Sequence, residues 1–436
     1  MNIILLSGGS GKRLWPLSNE IRSKQFLKIY KKDDGSYESM IQRVYRQIRT
    51  VNPESVITVA TSKSQVSSIR NQLGYDVGIS IEPSRRDTFP AIALAVSYVH
   101  DVLNADLQDS VIVCPIDHYV DDTYYQMAER IGRIAKESNA ELVLMGIKPD
   151  EASDKYGYII PTTGEEVSKV REFKEKPDTD TAKEYIRQGA LWNAGVFAFK
   201  IQYVLSIAQT MLGATDYNEL QKYYDSLTKI SFDYAVVEKA KNILVVRYEG
   251  RWQDIGSWSS FTEVMTGETI GNVLADQKCD CYHVINDLDI PIMCMGIKNI
   301  TVAASPDGIL IADKNGADEI KGLVEKNDQD AMYAEKSWGI FRVIDIGPNS
   351  LTIKVTMKAG GHMNYHSHDH RDEVWTVVYG NGKTLIDGIE RFVAPGDVIS
   401  LPKRSKHTIY AQTDLTMIEV QIGDNISISD KHKYSL

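Results

Sequence analysis

The stretch Asn2-Ile3-Ile4-Leu5-Leu6-Ser7-Gly8-Gly9-Ser10-Gly11-Lys12-Arg13 decides how the chain is read. Its apolar start is too short for a helix and rich in β-branched side chains, so it reads as a buried strand, and the glycines after it read as a turn. Working outward, similar apolar runs recur at 55–60, 110–114 and 141–147. Between them, apolar residues fall at three- and four-residue spacing over 39–50, 64–73, 90–103 and 124–138, which predicts helices. Strand alternating with helix implies an α/β domain built on a doubly wound, mostly parallel sheet covered on both faces. Ligands of such sheets bind beyond the carboxyl ends of the strands. The glycine turn after Leu6 and the turn Pro115-Ile116-Asp117-His118 both fall there.

After residue 265 the texture changes. Short apolar pieces at 282–285, 292–295, 300–303 and 309–311 are separated by Asn, Asp and Gly with no helical pattern between them, which suggests short β segments and a small β-helix. Residues 317–327 are charged and read as a connector, and from Gly339 onward strict alternation with Gly-rich turns predicts an all-β barrel. The expected domains are therefore 1–265, 266–330 and 331–436.

Composition narrows the classes. A chain of 436 residues, 43% hydrophobic and 25% charged, is globular and long enough for two or three domains. Four cysteines without a C-x-x-C pair exclude a disulfide framework and a simple structural zinc site. With no 18-residue apolar window and no signal-peptide pattern, the expectation is a cytoplasmic protein without a membrane partner. A formal charge of -10 argues against nucleic-acid binding. Residues 1–32 nevertheless carry Lys12, Arg13, Arg22, Lys24, Lys28, Lys31 and Lys32 against Glu20 alone. Such a run is ordinarily a solvated face. Here it surrounds the glycine turn.

That turn is not a P-loop, because Lys12 is followed by Arg13, and not a dinucleotide fingerprint, because Leu14 stands where the third glycine belongs. Glycines after a first strand still let backbone N–H groups approach a phosphate or a base, and Arg13 can grip phosphate oxygens through its planar fork. The run Leu6 to Ser18 (LSGGSGKRLWPLS) followed by Lys24-Gln25-Phe26-Leu27 resembles the signature of sugar-nucleotide pyrophosphorylases, and its Trp-Pro-Leu form resembles mannose-1-phosphate guanylyltransferases. Further segments match in order: Glu82-Pro83 with Arg86 and Thr88; 115–118; 156–159; 173–177; 192–195; 233–236; and 252–258.

The resemblance implies transfer of a guanylyl group from GTP to mannose 1-phosphate, helped by Mg²⁺, in the domain 1–265. It implies that Asp117 and Asp254 hold Mg²⁺, a role suited to hard carboxylate oxygens. Either aspartate alone would read as a turn or helix cap. Arg13 and Lys24 would hold the triphosphate. Leu6, Gly8, Gly9, Gly11, Lys12, Glu82, Arg86, Asp87 and Thr88 would line the nucleotide site, and Gly157, Glu175, Lys176 and Asn193 the sugar-phosphate site. Two departures stand out: Ser23 replaces the family's proline before Lys24, and Arg86-Asp87-Thr88-Phe89 replaces Arg-Asn-Thr-Ala. The Asp87 carboxylate can accept two adjacent donors of guanine, which adenine lacks, or can pair with Arg85 or Arg86.

Five of the nine histidines lie between His362 and His407. The spacing of His366, His368 and Glu373, with His407 after Gly396 and Pro402, is that of a cupin, and residues two apart on a strand share a face. Three imidazoles and a carboxylate suit Zn²⁺, Mn²⁺, Fe²⁺, Co²⁺ or Ni²⁺. The domain resembles a type II phosphomannose isomerase, but His366-Ser367-His368 replaces Gln-x-His and the C-terminal run from Asn425 to Leu436 has no arginine; Lys431, Lys433, Arg371 or Arg404 are the cations left for a phosphate. Isomerase activity is therefore doubtful. Other readings are transfer to a heptose or glucose 1-phosphate, a bifunctional enzyme, or a non-catalytic sugar-nucleotide sensor. A homodimer is the expected assembly.

Overall fold

The computed structural model describes the chain except residues 10, 11, 20, 315, 327–330, 425, 428, 429 and 436, with Lys12 described through its backbone alone. It divides into two compact units, residues 1–10 with 25–266 and residues 11–24 with 267–436. The composition change near 265 gives no sign that segment 11–24 belongs with the second unit.

The first unit is built on nine strands: β1 (Asn2–Ser7), β2 (Val56–Ser62), β3 (Gly78–Glu82), β4 (Ser110–Pro115), β5 (Leu142–Ile147), β6 (Tyr158–Pro161), β7 (Val167–Lys174), β8 (Leu191–Lys200) and β9 (Ile243–Tyr248). They lie side by side in the order β3-β2-β1-β4-β8-β5-β9-β7-β6. β1 runs parallel to β2 and β4, with Leu6 opposite Ala60 and Pro115, so the glycine turn and the 115–118 turn leave the same edge. The other half of the sheet is mixed. β8 runs antiparallel to β4 and β5, and β7 antiparallel to β6 and β9. β6 and β7 form a hairpin, and a hairpin needs no crossover helix. Periodicity marks these segments as strands but carries no direction.

Helices α1 (Met40–Val51), α2 (Val66–Leu73), α3 (Thr88–Asp101) and α4 (Asp122–Glu137) fill the predicted gaps. α1 opens on a capping box in which Ser39 and Gln42 exchange side-chain bonds. α3 is buried from Phe89 to Ser97 on nearly every side and packs with Ile4, Val111, Phe199 and Phe232, as expected of a helix apolar all round.

The second unit begins with β10 (Thr269–Ile270), β11 (Val273–Ala275), β12 (His283–Asn286), β13 (Ile292–Cys294), β14 (Ile300–Ser305) and β15 (Gly308–Asp313). β10, β12 and β14 pair in parallel and stack Thr269, Val284 and Val302 in a column, while β11 pairs in parallel with β13. These are two faces of a short β-helix. Tyr282, Val284, Cys294 and Val302 fill it. After a short helical connector at 317–324, a six-stranded and a five-stranded antiparallel sheet form the C-terminal barrel. Its core includes Val355, Trp375, Val377, Ile409 and Met417. Among the described residues no helix is long and apolar enough to cross a membrane.

Candidate active site and histidine cluster

β1 ends at Ser7 and is followed by Gly8 and Gly9, both exposed. Gly11 lies outside the described residues, as does the Lys12 side chain. Half-buried Leu6 accepts the Ile116 N–H through its carbonyl at 3.4 Å, which ties the strand before the glycines to the turn carrying Asp117. The short strands His118–Val120 and Trp252–Asp254 pair antiparallel with Asp254 opposite His118, and the Ile255 N–H donates to the Asp117 carbonyl at 3.3 Å. This ladder brings Asp117 and Asp254 together from distant parts of the chain. Both residues are partly exposed.

A second group gathers beside them. The Asn193 N–H donates to the Gly157 carbonyl at 2.8 Å, and Asn193 Nδ2 donates to Asp233 Oδ1 at 2.8 Å. A methyl group at Gly157 would stand 2.6 Å from Glu175 Oε2, so the missing side chain is what gives Glu175 its room. Lys176 pairs with Glu175 at 2.9 Å and sits at φ +43°, a conformation seldom held by a residue with a side chain. The Glu175 side chain is 8% exposed and that of Lys176 59%, so the cation faces outward while the carboxylate is enclosed. Tyr156 packs on Trp192 at 4.7 Å and on Trp252 at 5.5 Å, extending an aromatic wall to within two residues of Asp254. The buried indole N–H groups of Trp192 and Trp252 find no partner among the described residues.

Asp233 belongs to this group although sequence reasoning gave it no role. Burial and the Glu175 charge push its carboxyl up to about 7. The signal was its place inside the matching run 233–236.

The residues expected around the base are placed as follows. Glu82, raised by burial, accepts from the Tyr224 hydroxyl at 2.9 Å. Arg86 donates to the Asp225 carbonyl. Asp87, at φ +68°, caps α3 by accepting from Thr88 N–H at 2.8 Å, and it is the exposed member of the set. Thr88 Oγ1 accepts from Phe232 N–H at 2.7 Å. Arg13 is exposed in the turn Lys12–Leu14, and Lys24 opens the turn Lys24–Phe26; both lie on segment 11–24 of the second unit.

In the barrel, the strand pairing sets His366 opposite His407, and the ligand atoms of His366, His368 and His407 lie within 4.8 Å of one another. Glu373 places Oε1 3.0 Å from His368 Nε2 and Oε2 3.5 Å from His407 Nε2. Each ring uses Nδ1 on a backbone carbonyl: His366 on Asn364 at 2.6 Å, His407 on Ser405 at 2.9 Å and His368 on Asp430. Those bonds place the proton on Nδ1 and leave the Nε2 lone pairs converging on a carboxylate. His407 Nε2 is buried without a hydrogen-bond partner. Arg371 Nη2 lies 3.2 Å from His368 Nε2 and its Nε donates to Glu373, so a guanidinium already offsets part of this charge, while three imidazoles and a carboxylate gathered within reach of one another are a donor set that fits a metal ion. Burial drives His366 down to about 2 and keeps it neutral, the form a metal needs.

Two further residues complete the chamber. Arg371 donates through Nε to Glu373 at 3.0 Å and through Nη1 to the Ser427 carbonyl at 2.9 Å. Glu419 accepts from Gln421 Nε2 at 2.6 Å and is pushed up to about 8 by burial and the Glu373 charge. His366, Glu373, Arg371, Glu419, Trp338 and Lys431 line one cavity of about 520 Å³. Alternation along 415–423 was the signal that would have turned Glu419 inward.

The first unit has the sheet of a nucleotidyltransferase, and residues 2–269 match the nucleotidyl transferase family. Residues 325–434 match the C-terminal domain of mannose-6-phosphate isomerase. The chain belongs to the mannose-1-phosphate guanylyltransferase family: it is 30% identical to mannose-1-phosphate guanylyltransferase RfbM of Salmonella typhimurium over 98% of this chain and 95% of that one. It is 28% identical to the Escherichia coli K12 mannose-1-phosphate guanylyltransferase over 99% and 97% of the two chains. A crystal structure described as mannose-1-phosphate geranyltransferase from Thermus thermophilus superimposes with a TM-score of 0.62 at 28% identity, covering 74% of this chain and 98% of that chain.

Proposed function

We infer that this chain is a mannose-1-phosphate guanylyltransferase, converting GTP and mannose 1-phosphate into GDP-mannose and pyrophosphate. The observation that carries the reading is the ladder that sets Asp254 beside the 117–118 turn, in the same unit as the Gly157, Glu175, Lys176 and Asn193 group. A phosphate oxygen of the sugar phosphate attacks the α-phosphorus of GTP, a new P–O bond forms, and the bond to the leaving pyrophosphate breaks. Such a transfer needs charge neutralisation and alignment more than covalent help.

Asp117 and Asp254 would hold Mg²⁺, because two partly exposed carboxylates leave most of the ion's coordination for phosphate oxygens. Bound there, the ion offsets charge developing on the α-phosphoryl group. Arg13 and Lys24 hold the triphosphate. Lys176 takes the phosphate of the sugar phosphate, Glu175 its hydroxyls, and Asn193 with Gly157 shapes that pocket. Leu6, Gly8, Gly9, Glu82, Arg86 and Thr88 would line the nucleotide pocket, with the exposed Asp87 carboxylate accepting from guanine; Gly11 and Lys12 join them by the resemblance of the glycine run alone. In the barrel, His366, His368, Glu373 and His407 would hold one transition metal. Pyrophosphate release measured with four nucleoside triphosphates against mannose, glucose and heptose 1-phosphates tests the reading: GTP with mannose 1-phosphate should have the highest kcat/KM, and preference for another pair would overturn it.

A further inference from the structure

The run between Arg13 and Lys24 is fastened from several sides to the β-helix and to the strand that enters the barrel, all within the second unit. Ser305 Oγ donates to the Pro16 carbonyl at 2.6 Å. Arg22 pairs with Asp287 at 2.6 Å and lies over the Tyr333 ring at 4.8 Å, so this cation is used inside the protein. Gly308, at φ +146°, lets Trp15 come within 2.7 Å of the position a Cβ would occupy.

Asp307 is the hub of this fastening. It is 9% exposed, its Oδ2 accepts from Asn19 Nδ2 at 2.5 Å, and its Oδ1 accepts from the Met332 N–H at 2.7 Å. Asn19 turns that anchor into backbone shape. Its Oδ1 accepts from the N–H groups of Ile21 and Arg22 at 2.8 and 2.7 Å, and its own N–H donates to the Arg22 carbonyl at 2.9 Å. The chain is thereby folded back midway between the two cations. A buried carboxylate satisfied by two donors is a rigid anchor, since breaking either bond leaves it desolvated and underpaired.

We propose that Asp307 is a positioning residue for guanylyl transfer: through Asn19 it sets the backbone that carries Arg13 and Lys24 in the geometry that grips the triphosphate. The proposal rests on the roles assigned to those two cations under the proposed function. Exposed Arg and Lys side chains lose freedom when they close on a ligand, and a backbone held in place beforehand lowers that cost. The β-helix, remote in sequence from the nucleotide loop, thus acts on GTP and not on the sugar phosphate.

Steady-state kinetics of the full chain test this with Asp307→Ala, Asp307→Asn, Asn19→Ala and the Asp307→Ala/Asn19→Ala double variant. Asp307→Ala should raise the KM for GTP about tenfold while that for mannose 1-phosphate stays within about twofold. Asp307→Asn, which keeps one acceptor oxygen, should fall between it and the wild type. The double variant should be no worse than Asp307→Ala alone, because both changes break one connection. Val377→Ala in the barrel core should lower stability without moving the KM for GTP, which separates positioning from general loosening. Trypsin cleavage after Arg22 or Lys24 should also be faster in Asp307→Ala than in Val377→Ala. A wild-type KM for GTP in Asp307→Ala, an equal rise in both KM values, or additive single effects would overturn the proposal. A wild-type chain that makes no GDP-mannose would overturn the functional reading instead, and equal trypsin rates in Asp307→Ala and Val377→Ala would then overturn the anchor itself.

Discussion

In the first unit, Asp117, Asp254 and Lys176 stand partly or largely open to solvent, whereas in the barrel His366, His368, Glu373 and His407 are only 2–3% exposed. The first arrangement suits polyanions that arrive and leave within each turnover, because open charges exchange partners at low desolvation cost. The second suits a resident ion, since a donor set enclosed in the barrel exchanges a charged partner only at a high desolvation cost. One chain thus carries one group of open charges and one enclosed group.

The strongest way to break this comparison is to remove one carboxylate from the open site. Asp117→Asn and Asp254→Asn should each lower turnover by about a hundredfold or more, with little change in thermal stability, because side-chain shape is kept while an anionic ligand is lost. Pyrophosphate release at saturating Mg²⁺ measures this, and near-normal turnover in either variant would remove the assignment. Lys176→Ala should raise the KM for mannose 1-phosphate about tenfold and leave that for GTP within about twofold. An effect confined to GTP would move the lysine to the other subsite.

At the buried site the expected effects fall on composition more than on transfer. Elemental analysis should find about one transition metal per chain in the wild type and close to none in His366→Ala or His407→Ala, with guanylyl transfer unchanged. Turnover of fructose 6-phosphate by the metal-loaded chain should stay below about 1 s⁻¹, at the low end for enzymes. The reason is that Arg371 is committed to Glu373 and the Ser427 carbonyl, and the described C-terminal run offers no arginine in its place.

The smallest effect sharpens the contrast through pH. Asp233 has a folded pKa of about 7, pushed up by burial and Glu175. The free value is about 3.9. Between these values the folded state binds more protons than the unfolded one, so this group's contribution to stability is lost as pH rises through about 4 to 7. Raising the pH from 6 to 8 should cost the first unit about 1 kcal/mol, read by urea unfolding, and Asp233→Asn should flatten that slope. An unchanged slope in the variant would place the titration elsewhere.

Much of this was legible residue by residue. The alternation of apolar runs located β1, β4 and α3, because a buried face repeats with the period of its element. The barrel imidazoles could be named because their pattern is local, two histidines two apart on a strand, whereas Asp117 and Asp254, each an ordinary turn or cap residue alone, were named by the resemblance of the runs around them. Asp233 and Glu419 escaped because each sits in a stretch that also reads as ordinary helix or barrel strand, and the burial that raises both comes from other parts of the chain.

What the sequence determined by itself was therefore the element types, the glycine turn and the histidine spacing, all set by neighbours within a few residues, with the carboxylates picked out by the resemblance of ordered runs along the chain. The tertiary structure decided which way β8 runs, that Asp254 lies beside the 117–118 turn, and that residues 11–24 are fastened by Ser305, Asp307 and Asp287. Periodicity says that a face is buried and not against what; partners distant in the chain are chosen by how all the buried faces and buried charges are satisfied at once.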